Sequence, residues 1–132
     1  MTIRPVTYLL VGLGSGIGAS LRLLLSVGLQ QPEALWPWST LLVNVLGSLF
    51  IGLYATMVGT NGRWQVSEPQ KQFVLAGVCG GFTTFSVFSL EWLHLLQGGH
   101  VLLALGYVVT SFMLWGLAVW LGSLLANKMI VD

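Results

Sequence analysis

From Trp92 to Asn127 the chain contains no Asp, Glu, Lys or Arg, and two further gaps of this kind separate Glu33 from Arg63 and Lys71 from Glu91. Each gap is long enough for a bilayer-crossing helix of about 20 residues. The stretch Tyr8–Leu29 carries one charge, Arg22. Only 7% of the 132 residues are charged, against roughly 25% in an ordinary soluble domain. Water is therefore not the main solvent of this fold. Hydropathy places four membrane helices near residues 7–29, 38–58, 70–96 and 101–125, joined by short links and filling residues 1–132 as a single transmembrane domain. Barrel strands alternate polar and apolar residues, and these runs do not, so the expected class is an all-α membrane protein. Pro32, Pro37 and Pro69 fall at span boundaries, where a missing N–H costs little. Trp36, Trp38 and Trp64 fall where an aromatic belt would lie.

Several function classes drop out at this stage. A net charge of +1 leaves no basic surface for nucleic acid. Gly14-x-Gly16-x-x-Ala19 matches a dinucleotide fingerprint in letters only. That motif needs a strand before it, a helix after it and an acidic residue further on, so no nucleotide is expected. The apolar pattern of the first span continues through Leu23–Leu29, longer than a signal-peptide core needs. The single Cys79 excludes an intrachain disulfide and reads as a small packing residue. No nucleophile, base and orienting partner assemble in the sequence, so no enzyme is expected; His94 and His100, beside a short link, read as interfacial.

Orientation follows from basic residues. Arg4, Arg63, Lys71 and Lys128 fall on the side of the two termini and Arg22 on the other, which favours termini inside the cell. Small residues four apart, Gly12 with Gly16, Gly14 with Gly18 and Gly77 with Gly81, predict closely packed helices in an oligomeric bundle.

The stretch GGFTTFSVFS, Gly80–Ser89, is unlike the rest. Its Gly-Gly pair predicts an unwound turn near 80–84, and Thr83, Thr84, Ser86 and Ser89 cluster directly after it. A helix broken at membrane depth survives only where protein or water covers the freed backbone, as at ion sites. Phe85, Phe88 and Glu91 recur at i, i+3, i+6 on one stripe, which serves either as a packing face or as a row of electropositive ring edges for an anion. Asn44 adds an amide donor from the second span, and Tyr107 with Ser111 a line of hydroxyls on the fourth. This inventory is rich in neutral donors and poor in carboxylates. It suits a small hard anion, whose dehydration in apolar surroundings costs tens of kcal/mol unless donors replace the water. Weak, repeated neutral contacts also let the ion leave.

GASLR (Gly18–Arg22), WSTLLVNVLG (Trp38–Gly47) and GGFTTFSVFSLE (Gly80–Glu91) resemble the three signatures of the Fluc, or CrcB-type, fluoride channels. The resemblance covers essentially the whole chain and includes Tyr107-xxx-Ser111. It implies passive fluoride-selective export through the cell (inner) membrane by a dual-topology homodimer of antiparallel four-helix subunits, with two pores along the boundary. By the same resemblance Phe85 and Phe88 match pore-lining phenylalanines, and Asn44 the pore asparagine. Tyr107 and Ser111 match a polar track, and Arg22 a vestibule arginine. Gly80 and Thr83 match positions whose backbone oxygens hold a structural sodium ion at the dimer interface; Thr84, Ser86 and Glu91 belong to the same signature. Two features depart from the pattern: Trp115 stands where a further hydroxyl would continue the track, and the four-to-one basic bias is strong for antiparallel insertion. The alternative is a proton-coupled exporter of the small multidrug resistance type. That class relies on a first-span glutamate, whereas the first span here holds Arg22 and Glu91 lies in the third.

Overall fold

The computed structural model describes residues 5–31 and 33–131. Arg4 and Pro32, used above for orientation and for a span boundary, lie outside them. Among the described residues every regular element is helical. Four helices are long and apolar enough to cross a membrane: Pro5–Gly28 (α1), Trp38–Met57 (α2), the composite Glu68–Gln97, and Val101–Val131. The chain is thus a multi-pass helical membrane protein.

The composite third span is built in pieces: α3 (Glu68–Gln72), a π-helical segment (Phe73–Cys79), α4 (Gly80–Phe82) and α5 (Ser86–Gln97). Ser67 opens it, its N–H donating to Gln70 Oε1 at 3.0 Å, with Pro69 in the first turn. The fourth span, α6 (Val101–Val131), runs past the expected end near 125. Asn127 and Lys128 close the apolar window but not the helix, because Ala126, Lys128 and Met129 are good helix formers. Arg63 then donates to the Met129 carbonyl at 2.8 Å, placing the link between α2 and α3 on the side of the C-terminus. At the opposite side α5 ends in a Schellman turn. His100 N–H bonds Leu95 O at 2.9 Å and Gly99 N–H bonds Leu96 O at 3.0 Å, with Gly99 at φ 79°, a conformation glycine adopts without strain.

Two backbone-to-backbone seams join the spans. Along the first, α1 lies on the third span: a Cβ at Gly14 would sit 2.6 Å from Phe73 O, one at Gly18 would overlap Val78 O, and one at Gly81 would overlap Ser15 O. Gly77 completes the seam against Gly14. The second joins α2 to α6, where a Cβ on Gly52 would overlap Val119 O and one on Gly122 would overlap Leu49 O. Glycine costs about 1 kcal/mol in a helix relative to alanine, and backbone contact in lipid recovers that through dispersion and close packing. Gly12 and Gly16, expected to pack as a pair, have nothing within 4 Å of the point where a Cβ would stand, so α1 uses only one of its two small-residue faces inside the bundle. Between the seams lies a core of Leu41, Phe88, Leu95, Ala104 and Tyr107. Trp36, expected in the interfacial belt, packs edge-on against Tyr107 with ring centroids 5.6 Å apart; Trp38 and Trp64 stay exposed. Cys79 is buried, as a packing residue would be.

Candidate functional site

The interruption in the third span falls at residues 83–85, and Gly80 and Gly81 stay helical, Gly80 at φ −63° and ψ −37°. This corrects the expectation that the glycine pair itself unwinds the helix. Gly81 is small because Ser15 of α1 crosses there. The break is made from outside by Asn44. Its Oδ1 accepts the Thr84 N–H at 2.7 Å and its Nδ2 donates to the Thr84 carbonyl at 2.8 Å, so one buried side chain satisfies both backbone polar groups of an unwound residue. Thr83 is extended, at φ −77° and ψ 156°. The chain re-enters the helix when the Thr84 hydroxyl accepts the Val87 N–H at 3.2 Å, which satisfies one of the free N–H groups in the first turn of α5. Ser86 Oγ lies 3.3 Å from the same hydroxyl. Thr83 and Ser89 bond back one turn, to Cys79 O and Phe85 O, at 2.9 and 2.8 Å.

Phe85, the last residue of the break, and Phe88, on the first turn of α5, come together with ring centroids 5.6 Å apart, in opposite environments. Phe88 is 4% exposed and Phe85 64%. Phe88 is ringed by Tyr107 at 5.0 Å, Trp115 at 5.1 Å and Phe112 at 6.1 Å, the last two edge-to-face. The third member of the stripe, Glu91, takes a hydroxyl on each carboxyl oxygen: Thr40 on Oε1 at 2.7 Å and Tyr107 on Oε2 at 2.8 Å. Glu91 thereby ties α5 to both α2 and α6. Ser111, one turn beyond Tyr107, is fully buried and its hydroxyl has no partner.

Three hollows reach this assembly. One of about 470 Å³ holds Arg22 and meets the break at Thr84. One of about 220 Å³ is bordered by Asn44, Ser48, Thr84, Phe85 and Trp115. A third, about 610 Å³, lies at the Schellman end, with Glu91, His94, His100 and Trp36 in its wall. Arg22 thus shares a hollow with Thr84 and Thr40, while Asn44, Thr84, Ser86 and Phe85 meet at the break.

Gly80 and Thr83 can be tested for cation ligation from the backbone accounting. In an unbroken helix their carbonyls would receive the N–H groups of Thr84 and Val87. Those N–H groups go instead to Asn44 and to the Thr84 hydroxyl. Both oxygens are released from their helical donors, and Gly80 is exposed on the single subunit. Freed carbonyl oxygens are hard ligands of the kind a hard monovalent cation takes, so these residues fit the group.

Sequence reasoning missed Thr40 and Ser48. Both stand four residues from Asn44, so a search for polar residues at i±4 on α2 finds them. The π-helical segment ahead of the break has no comparable signal.

Four apolar spans packed around a braced helix break at membrane depth define a polytopic helical membrane protein with its polar chemistry buried between helices. Residues 9–123 match the family model described as CrcB-like protein, Camphor Resistance (CrcB). Among similar proteins, one from Rhodopseudomonas palustris (strain BisB18), called fluoride-specific ion channel FluC 1, is 49% identical over 96% of this chain and 90% of its own. Another from Paramagnetospirillum magneticum, called fluoride-specific ion channel FluC, is 49% identical over 92% of this chain and 96% of its own. A third, from Opitutus terrae and of the same name, is 47% identical over 90% and 91%. The chain belongs to the CrcB-like family.

Proposed function

We propose that this protein is a passive, fluoride-selective channel of the cell membrane that lets fluoride leave the cytoplasm down its electrochemical gradient. The names of its relatives support the substrate. The observation that carries the mechanism is the grip of Asn44 on the Thr84 peptide. That grip holds open a helix at depth and sets Phe85 at the end of the break and Phe88 on the first turn beyond it. Their ring edges, with the hydroxyls of Thr84, Ser86, Tyr107 and Ser111, are the neutral groups that replace hydration around the ion. Arg22 raises the local anion concentration at one mouth without binding the ion in the narrow region. Glu91, held by two hydroxyls on different helices, positions Tyr107.

The working unit in this reading is an antiparallel homodimer in the inner membrane. Phe85 is too exposed on one subunit to form a dehydrated path alone, and a second copy supplies the missing wall. Gly80 and Thr83 carbonyls would hold a sodium ion where two copies meet. The bound cation would tie the two breaks together and keep their backbones from closing into a regular helix.

The test is fluoride efflux from liposomes containing purified protein, with a potassium ionophore as electrical shunt, against chloride and a quaternary ammonium dye. Fluoride alone should escape, and Phe85→Ile or Phe88→Ile should slow it while dimer elution stays unchanged. Retained fluoride would overturn the reading, and proton-driven dye movement would support the exporter alternative.

A further inference from the structure

Among the described residues, the buried side-chain polar atoms without a partner are the Ser111 hydroxyl and the indole nitrogens of Trp36, Trp92 and Trp115. A donor buried and unpaired costs about 1–3 kcal/mol. Such groups require an explanation, for instance an ion that visits them. Two of the four stand one helical turn apart: Ser111 and Trp115, at i and i+4, share a face of α6. Trp115 lies beside Phe88, the phenylalanine most deeply set in the fold, and Ser111 stands on α6 midway between two residues that touch it. The Trp115 ring meets Phe88 edge-to-face at 5.1 Å, and Tyr107, one turn before Ser111, meets Phe88 at 5.0 Å. Trp115 also borders the hollow containing Asn44, Ser48, Thr84 and Phe85, so it stands between the aromatic core and the helix break.

The type of group matters. A hydroxyl both donates and accepts, so an orphaned serine can be relieved by almost any polar visitor. An indole N–H only donates, and only an acceptor satisfies it. We propose that the indole N–H of Trp115 is a direct anion donor, which continues the donor line of α6 beyond Ser111 where the sequence offers no further hydroxyl. Trp115 thus extends the polar track that its bulk would be expected to end. An anion at the Phe88 edge is met by Ser111 Oγ–H and then by Trp115 Nε1–H, a repeat of neutral donors at helical spacing. The adjoining aromatic rings keep water away and strengthen each of these contacts.

This inference rests on the channel reading, and one set of liposome measurements separates their failures. Trp115→Phe keeps an aromatic ring and deletes the N–H; Trp115→benzothienylalanine keeps the bicyclic shape and puts sulfur in place of that N–H. Trp120→Phe, at an exposed indole on the same helix, is the control. With wild-type protein releasing fluoride, both Trp115 variants should slow efflux by at least about tenfold, since a hydrogen bond to a charged group is lost. Their melting temperature and dimer elution should stay near wild type, and Trp120→Phe should match wild type throughout. If the benzothienylalanine variant releases fluoride as fast as or faster than wild type, the assignment of Trp115 falls and the channel reading stands. Wild-type protein that retains fluoride removes both. Should Trp115→Phe fail to assemble, the shape-preserving variant decides alone.

Discussion

At the scale of single residues, Asn44 performs two tasks with one amide. It satisfies the Thr84 N–H and carbonyl, and by withdrawing that N–H it frees the Gly80 oxygen. Leucine at this position fills similar space and leaves two buried backbone groups unpaired, at about 1–3 kcal/mol each. Asn44→Leu is therefore expected to lower the melting temperature in detergent by several degrees and to abolish fluoride efflux. Survival of efflux with a lowered melting point would confine Asn44 to a structural role. That Asn44 is polar at membrane depth is plain from the sequence; which peptide it grips is not, because Thr84 lies 40 positions away. Thr40 shows the same limit in a milder form. Its helical spacing from Asn44 marks it as a member of a polar row, but only the approach of α5 makes it a donor to Glu91.

At the scale of helices, the sequence carries the spans and the glycines, and the structure decides which glycines touch. The charge-free gaps place all four spans because the bilayer penalises charge wherever the chain folds. Gly14 with Gly18 and Gly12 with Gly16 are equivalent patterns on opposite faces of α1. Only the first face meets the third span. The seam between α2 and α6 is built on Gly52 and Gly122, neither of which has a second glycine four residues away to draw attention to it. The break falls later than the glycine pair suggests for a related reason: glycine weakens a helix, but Gly81 is packed against Ser15 of α1 and both glycines stay helical, and the chain yields where Asn44 pulls. Two alanine substitutions separate these roles. Gly81→Ala drives a methyl group into Ser15 backbone and should destabilise by about 1–3 kcal/mol. Gly12→Ala meets nothing within 4 Å and should be neutral or stabilising by up to about 1 kcal/mol. Thermal unfolding in one detergent compares them directly, and equal effects would show that the α1 seam is not where the backbone contact occurs.

At the scale of the whole molecule, the proposed insertion in both orientations has to be reconciled with an uneven distribution of basic residues. Arg63 is exposed, although it donates to the Met129 carbonyl, while Lys71 is partly buried and 3.8 Å from Glu68, which weakens the pull of Lys71 alone. The remaining bias is carried by few side chains, which makes orientation easy to shift by design. Asn61→Lys with Gln65→Lys, both exposed, add charge to the terminal side; Gln30→Lys, Gln31→Lys and Gln97→Lys, also exposed, add it to the other. Each set should hold most chains in one orientation. If two opposed copies are needed to complete the wall beside Phe85 and the cluster of carbonyls at Gly80 and Thr83, either variant alone should give cells little fluoride resistance. Co-expression of the two should restore it, because each then meets a partner of the opposite sense. A parallel assembly predicts the reverse: each variant active alone, and no gain on mixing. Resistance measured in a fluoride-sensitive host, with orientation read independently by labelling of single cysteines placed in the links, distinguishes the two arrangements.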